Sequence, residues 1–167
     1  MATAKNIILS PLQVQQKIRR IAYQIYENNS NEKEIVLAGI ASNGYVFATE
    51  IEKFLLEISP LKVTMCKVTM DKKNPLNSIK TSIDVQQYQN KSLVLVDDVL
   101  NSGATLIYGI KHFLEVPLKR FKTAVLVNRN HKKYPVKADF KGISLSTTLQ
   151  EHVVVKFNKK EAVAYLQ

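Results

Sequence analysis

The chain has 167 residues, 46% apolar and 23% charged, which is enough for one domain with a real core and ordinary for a globular protein. A single cysteine, Cys66, excludes an internal disulfide and any cysteine-based zinc site, so a reducing, cytoplasmic compartment is expected. The net charge of +10 points to polyanionic company, either phosphorylated small molecules or nucleic acid.

The longest apolar runs, such as 35–40 and 93–96, are strand-sized and well short of the roughly 20 residues a membrane-spanning helix needs. In chain order, Ser10-Pro11 opens a helix, with serine as cap and proline at the first helical position. Leu12, Val14, Ile18, Ile21, Ala22, Ile25 and Tyr26 follow at helical spacing, and Asn28 to Asn31 ends it. Residues 35–40 read as a strand apolar on both faces, as in a covered parallel sheet. A turn at 41–44 leads into a second helix from Tyr45, stopped by Pro60.

Residues 61–70 form a further strand, and 71–82 a mobile loop or hairpin bearing Lys72 and Lys73. A buried strand at 93–96, a helix at 105–114 and a strand at 121–127 come next. Residues 128–135 form a polar loop, and short strands around Phe140, Ile143 and 153–157 finish the domain. A single domain over 1–167 is expected, with an ill-defined peripheral tail at 158–167. This order predicts an α/β fold with a largely parallel sheet, whose ligand site lies beyond the C-terminal ends of the strands.

The turns at 41–44 and 97–105 fall there. Leu93-Val94-Leu95-Val96 ends in Asp97 and Asp98. Adjacent strand side chains point to opposite faces, so the two carboxylates cannot do identical work. Ionised carboxylates accept hydrogen bonds from vicinal sugar hydroxyls. Asn101-Ser102-Gly103-Ala104-Thr105 then enters a helix. Gly103 permits positive φ, small neighbours leave amides open, and the helix dipole favours an anion. A diol grip beside a phosphate nest suits ribose 5-phosphate.

The string 93–105 resembles the phosphoribosyl pyrophosphate (PRPP) motif of type I phosphoribosyltransferases: an apolar run, two acids, then Thr/Ser-Gly-x-Thr. Within that superfamily it is most similar to the pyrimidine-operon attenuator/uracil phosphoribosyltransferase (PyrR-like) family. The likeness runs from about Ile7 to Phe157. A second segment, Val-Leu-Val-Asn-Arg-Asn-His-Lys-Lys-Tyr-Pro-Val-Lys-Ala-Asp-Phe at 125–140, resembles the family's Val-Leu-Val-Asp-Arg-Gly-His-Arg-Glu-Leu-Pro-Ile-Arg-Ala-Asp-Tyr.

The resemblance implies a type I phosphoribosyltransferase-like fold: a mostly parallel central sheet flanked by helices, with a small hood of short strands. It implies transfer of ribose 5-phosphate from PRPP to a nucleobase, uracil favoured, with Mg²⁺ bound through PRPP. The alternative is a catalytically weak PRPP- or nucleotide-sensing, RNA-binding regulator. Asp97 and Asp98 take the ribose positions, with no firm general base. Asn101, Ser102, Gly103, Ala104 and Thr105 take the 5-phosphate.

The family's pyrophosphate turn, Gly-Ile-Lys-Thr-Arg-Gly, appears here as Gly39-Ile40-Ala41-Ser42-Asn43-Gly44, with both cations gone. Ala41, Ser42, Asn43 and Gly44 keep its frame, and Ser42 and Asn43 can donate hydrogen bonds. That loss puts turnover in question. Lys72 or Lys73, in the family's flexible loop, could restore the charge. Arg129 and Val153 match positions bordering the base, and Ser146-Thr147-Thr148 replaces a Pro-Thr-Ser stretch there. Arg129, His131, Lys132 and Lys133 are candidate RNA contacts. A homodimer or higher homo-oligomer is implied as well.

Overall fold

The computed structural model describes residues 6–146, 151–158 and 161–167. Strand β1 (Asn6–Leu9) leads to helix α1 (Pro11–Asn28). The cap is reciprocal: Ser10 Oγ accepts from Gln13 N–H, and Gln13 Oε1 accepts from Ser10 N–H at 2.9 Å. This satisfies two amides that the first turn otherwise leaves without partners. Then come β2 (Glu34–Ile40), α2 (Asn43–Ile58), β3 (Lys62–Thr69), β4 (Lys80–Thr81) and the short helix α3 (Val85–Tyr88). The chain continues through β5 (Ser92–Leu100), α4 (Ala104–Phe113), β6 (Arg120–Arg129), β7 (Phe140–Leu145), β8 (Val153–Phe157) and β9 (Ala162–Leu166).

Six strands form one sheet in the order β4-β3-β2-β5-β6-β7. Every pairing is parallel except β3 with β4. The inner strands β2 and β5 are buried along almost their whole length, because helices cover both faces. One face packs on α1, α2 and a small second sheet through Ile18, Ile21, Phe47 and Ile51. The other packs on α4 and α3 through Leu106, Phe113 and Tyr88. The small sheet is antiparallel, ordered β1-β9-β8, and forms the hood.

Of the differences from the sequence reading, two change the architecture. The strand that leads into the acidic pair does not stop at Val96; β5 runs on to Leu100, pairing Asp97 with Val125 and Leu100 with Asn128. Parallel pairing with β6 outweighs the poor strand preference of aspartate. The tail assigned as peripheral instead supplies β9, the central strand of the hood, with Ala164 and Tyr165 buried. Ala162 and Ala164, two apart and both buried, share one face of the strand.

β2 feeds α2 and then β3 on one side, while β5 feeds α4 and then β6 on the other. The strand order therefore reverses between β2 and β5. In open α/β sheets this reversal opens a crevice at the C-terminal strand ends. The turns 41–44 and 97–105 meet there. No helix among the described residues is long and apolar enough to cross a membrane.

Candidate active site

The crevice is a cleft lined by Asp97, Asp98, the turn from Asn101 to Gly103, Thr105, Lys72 and Val153. Its floor includes Val125, which the parallel register places opposite Asp97.

Gly103 caps α4 with φ +88°, a left-handed conformation that a Cβ resists. A Cβ there would also lie 2.5 Å from Val136 Cγ1. Ser102 Oγ accepts from Ala104 N–H at 3.2 Å and tightens the turn. The turn thus opens onto the start of a ten-residue helix, where backbone N–H groups and the helix dipole favour an anion. The Ser102 carbonyl accepts two amide bonds from the 130–135 loop, from Lys133 N–H at 2.8 Å and Tyr134 N–H at 3.1 Å. Asn101 Oδ1 accepts from Arg129 Nη1 at 2.9 Å, and Arg129 Nη2 donates to the Glu151 carbonyl at 2.6 Å.

The two carboxylates have separate surroundings, as strand alternation requires. Asp97 is 4% exposed. Its Oδ1 accepts from Asp98 N–H at 2.9 Å and lies 3.6 Å from Lys72 Nζ. Burial, and then the neighbouring Asp98 charge, push its carboxyl well above the usual carboxylate range, to about 8, against the pull of Lys72. A Cβ on Gly44 would come within 2.9 Å of the same Oδ1, so the second turn packs directly on this acid. Asp98 is half-buried, and its Oδ2 accepts from Asn43 Nδ2 at 3.2 Å.

Asn43 Nδ2 also donates to the Val155 carbonyl in β8, at 2.9 Å. Both amide hydrogens of Asn43 therefore go to the protein, and the side chain links the acidic pair to the hood. Ala41 and Ser42, joined by a cis peptide, lie outside the cleft lining. Ala41 N–H is tied to the Val68 carbonyl at 2.8 Å.

The loop after β3 folds around Asp71 and returns as β4, the antiparallel partner of β3. Asp71 accepts from the amides of Lys73 and Asn74 and from Asn77 Nδ2. Those bonds, Asn74 first, hold its carboxyl below the usual range. Lys72 enters the cleft, whereas Lys73 is exposed and does not line it. Lys132 and Lys133 are exposed and His131 is half-buried. Arg129 is only 6% exposed and is held between Asn101 and Glu151. Val153 lines the cleft; Arg129 stands behind it as a brace for Asn101. Thr147 and Thr148 lie outside the described residues.

Sequence reasoning missed Val125 and the brace role of Arg129. The parallel register carries the first. The second had no local signal, because Asn101 and Arg129 are 28 positions apart.

The profile of the phosphoribosyl transferase domain matches residues 6–160. The chain belongs to the phosphoribosyltransferase family. Within the family it is similar to the bifunctional protein PyrR of Macrococcus caseolyticus, at 32% identity over 93% of this chain and 93% of that one. It is also similar to the bifunctional protein PyrR of Fusobacterium nucleatum, at 33% identity over 99% of this chain and 100% of the other. Among solved structures, a hypoxanthine-guanine phosphoribosyltransferase from Bacillus anthracis aligns with TM-score 0.74 and 24% identity over 90% of this chain and 87% of that chain. A hypoxanthine phosphoribosyltransferase from Trypanosoma cruzi aligns with TM-score 0.79 and 14% identity over 100% and 92%. At such identities the structural likeness establishes the type I phosphoribosyltransferase fold.

Proposed function

We propose that the chain transfers ribose 5-phosphate from PRPP to a nucleobase, with uracil preferred, releasing pyrophosphate. The observation that carries this reading is the convergence of the Asp97–Asp98 pair and the Gly103 turn on one cleft at the strand-order reversal. Asp98, the more accessible acid, takes the ribose hydroxyls. The amides and hydroxyls from Ser102 to Thr105 take the 5-phosphate. Catalysis in such a site is mostly positioning and electrostatic stabilisation of the departing pyrophosphate.

Among the described residues no group of three or more acids, histidines or cysteines is placed to hold a metal. Mg²⁺ would enter bound to PRPP, the cleft carboxylates Asp97 and Asp98 would face it, and it would supply charge neutralisation on the pyrophosphate. The reading includes a cytoplasmic location and a homodimer or higher homo-oligomer.

A second reading, a nucleotide-sensing RNA-binding regulator, has its own support. The loop bearing Lys132 and Lys133 is hydrogen-bonded to the Ser102 carbonyl, which couples the exposed basic segment a polyanion would meet to the proposed phosphate turn. The absence of cations from the turn 41–44 also favours binding over fast turnover.

The deciding experiment is a turnover assay with PRPP, Mg²⁺ and, separately, uracil, hypoxanthine, guanine, adenine and orotate. UMP alone is the expected product. No product with any base, beside measurable PRPP binding, would replace the enzyme with the sensor.

A further inference from the structure

Asp98 lines the cleft, and a carboxylate at a strand end is free to turn about its side-chain bonds unless something holds it. Outside the acidic pair, the one hydrogen bond to that carboxylate among the described residues comes from Asn43 Nδ2, 3.2 Å from Oδ2. The same nitrogen donates to the Val155 carbonyl at 2.9 Å. Rotated by half a turn, the amide would set its oxygen against two acceptors, so its partners decide which way it faces. Both bonds are partly buried, where a hydrogen bond is stronger than in open water. Asn43 is the first residue of α2 and Val155 lies in β8, so this one amide joins a helix start, the end of β5 and the hood. Val153, two residues earlier on β8, lines the same cleft as Asp98.

We propose that Asn43 is a positioning residue that makes the site selective for ribose over deoxyribose. The proposal rests on the phosphoribosyl reading, in which Asp98 takes the sugar hydroxyls. An ionised carboxylate offers about four acceptor positions, so one donor on Oδ2 sets its plane and leaves places for two hydroxyls. Two vicinal hydroxyls are met together only by a carboxylate held in one orientation. A single hydroxyl is met nearly as well by an untethered one, which can turn to follow it. Holding the carboxylate before the sugar arrives also spares the ordering cost at the moment of binding. Asn43 thus acts through Asp98, and its own aim is set by the hood.

UMP and dUMP share a base and a phosphate and differ by one of the two vicinal hydroxyls. The test is calorimetric titration of wild type, Asn43→Ala and Asn43→Leu with UMP, with dUMP and with PRPP plus Mg²⁺. Wild type is expected to prefer UMP by about ten-fold, the scale of one hydrogen bond to a charged group. Both variants are expected to bring the two nucleotides within about two-fold of each other by weakening UMP, and to weaken PRPP to the same degree. Retained affinity for dUMP shows that the variants are folded. Asn43→Leu keeps the side chain's volume without its donor, so a preference that survives in it would overturn the proposal. Equal weakening of UMP and dUMP would make Asn43 a general support of the cleft, and unequal weakening of UMP and PRPP would make it a base or pyrophosphate contact. Either result would overturn the proposal and leave the phosphoribosyl site standing. A wild type that binds UMP and dUMP equally, or binds neither, would overturn the diol reading of Asp98 and the proposal together.

Discussion

Gly103→Ala is expected to lower the melting temperature by ~10 °C and to abolish measurable affinity for PRPP and UMP. Two costs fall on the same atom. The left-handed conformation at φ +88° costs a Cβ-bearing residue roughly 1–2 kcal/mol. The new methyl group also lands 2.5 Å from Val136 Cγ1, in a side chain that is 8% exposed and stiff at its branched carbon. Overpacking of that kind adds roughly 1–3 kcal/mol. A combined loss on the order of 3 kcal/mol corresponds to the stated shift for a domain of this size. The turn can relieve the clash only by moving its amides, and those amides are the proposed phosphate ligands. Thermal melts with parallel titrations check both effects. A variant with wild-type melting temperature and affinity would show that the turn neither needs glycine nor holds the phosphate.

Asp97→Asn is expected to have the opposite effect on stability. In the folded chain the Asp97 carboxyl titrates at about 8, raised by burial and by Asp98, while in the unfolded chain it titrates at its ordinary value of 3.8. Between those values the folded state holds a proton that the unfolded state has released. Stability is then largest below the unfolded value and declines as pH rises, until the folded group itself ionises. The substitution removes this penalty and keeps an oxygen that can accept from Asp98 N–H. The melting temperature of the variant should match wild type near pH 4, exceed it by a growing margin through neutrality, and level off above pH 8. A variant equal to wild type at every pH would mean that the carboxyl is not desolvated in the folded chain. Stability gained by removing a buried acid at a ligand cleft is the trade expected of a functional site.

Much of this fold can be read along the chain. Helix α1 announces itself through Ser10, Pro11 and its apolar spacing, and the capping pair forms as those residues dictate. The strands β2 and β5 are plain because both faces are apolar. The phosphate turn is legible because its requirements are local: one glycine, small neighbours and a helix start within five residues. What could not be read depends on distant partners. Asp97 and Asp98 look equivalent in sequence, yet packing against Gly44 buries one while Asn43 engages the other.

Asn43 offers two donors on paper, and only the hood's approach at Val155 shows that both are committed. Lys72 and Lys73 are indistinguishable by composition; the Asp71 turn decides which one faces the cleft. The strand β9 was missed because its burial comes from β1 and β8, more than a hundred residues apart in sequence and brought together only by the hood. Likewise the extension of β5 through two aspartates reflects the ladder with β6, not any strand preference of its own.

The most direct measurement is a crystal structure of the chain grown with UMP. The phosphate oxygens are expected within hydrogen-bonding reach of the backbone N–H groups between Ser102 and Thr105, with the sugar hydroxyls on Asp98. A nucleotide bound elsewhere, or a phosphate seated away from the Gly103 turn while the cleft holds only solvent, would contradict the account.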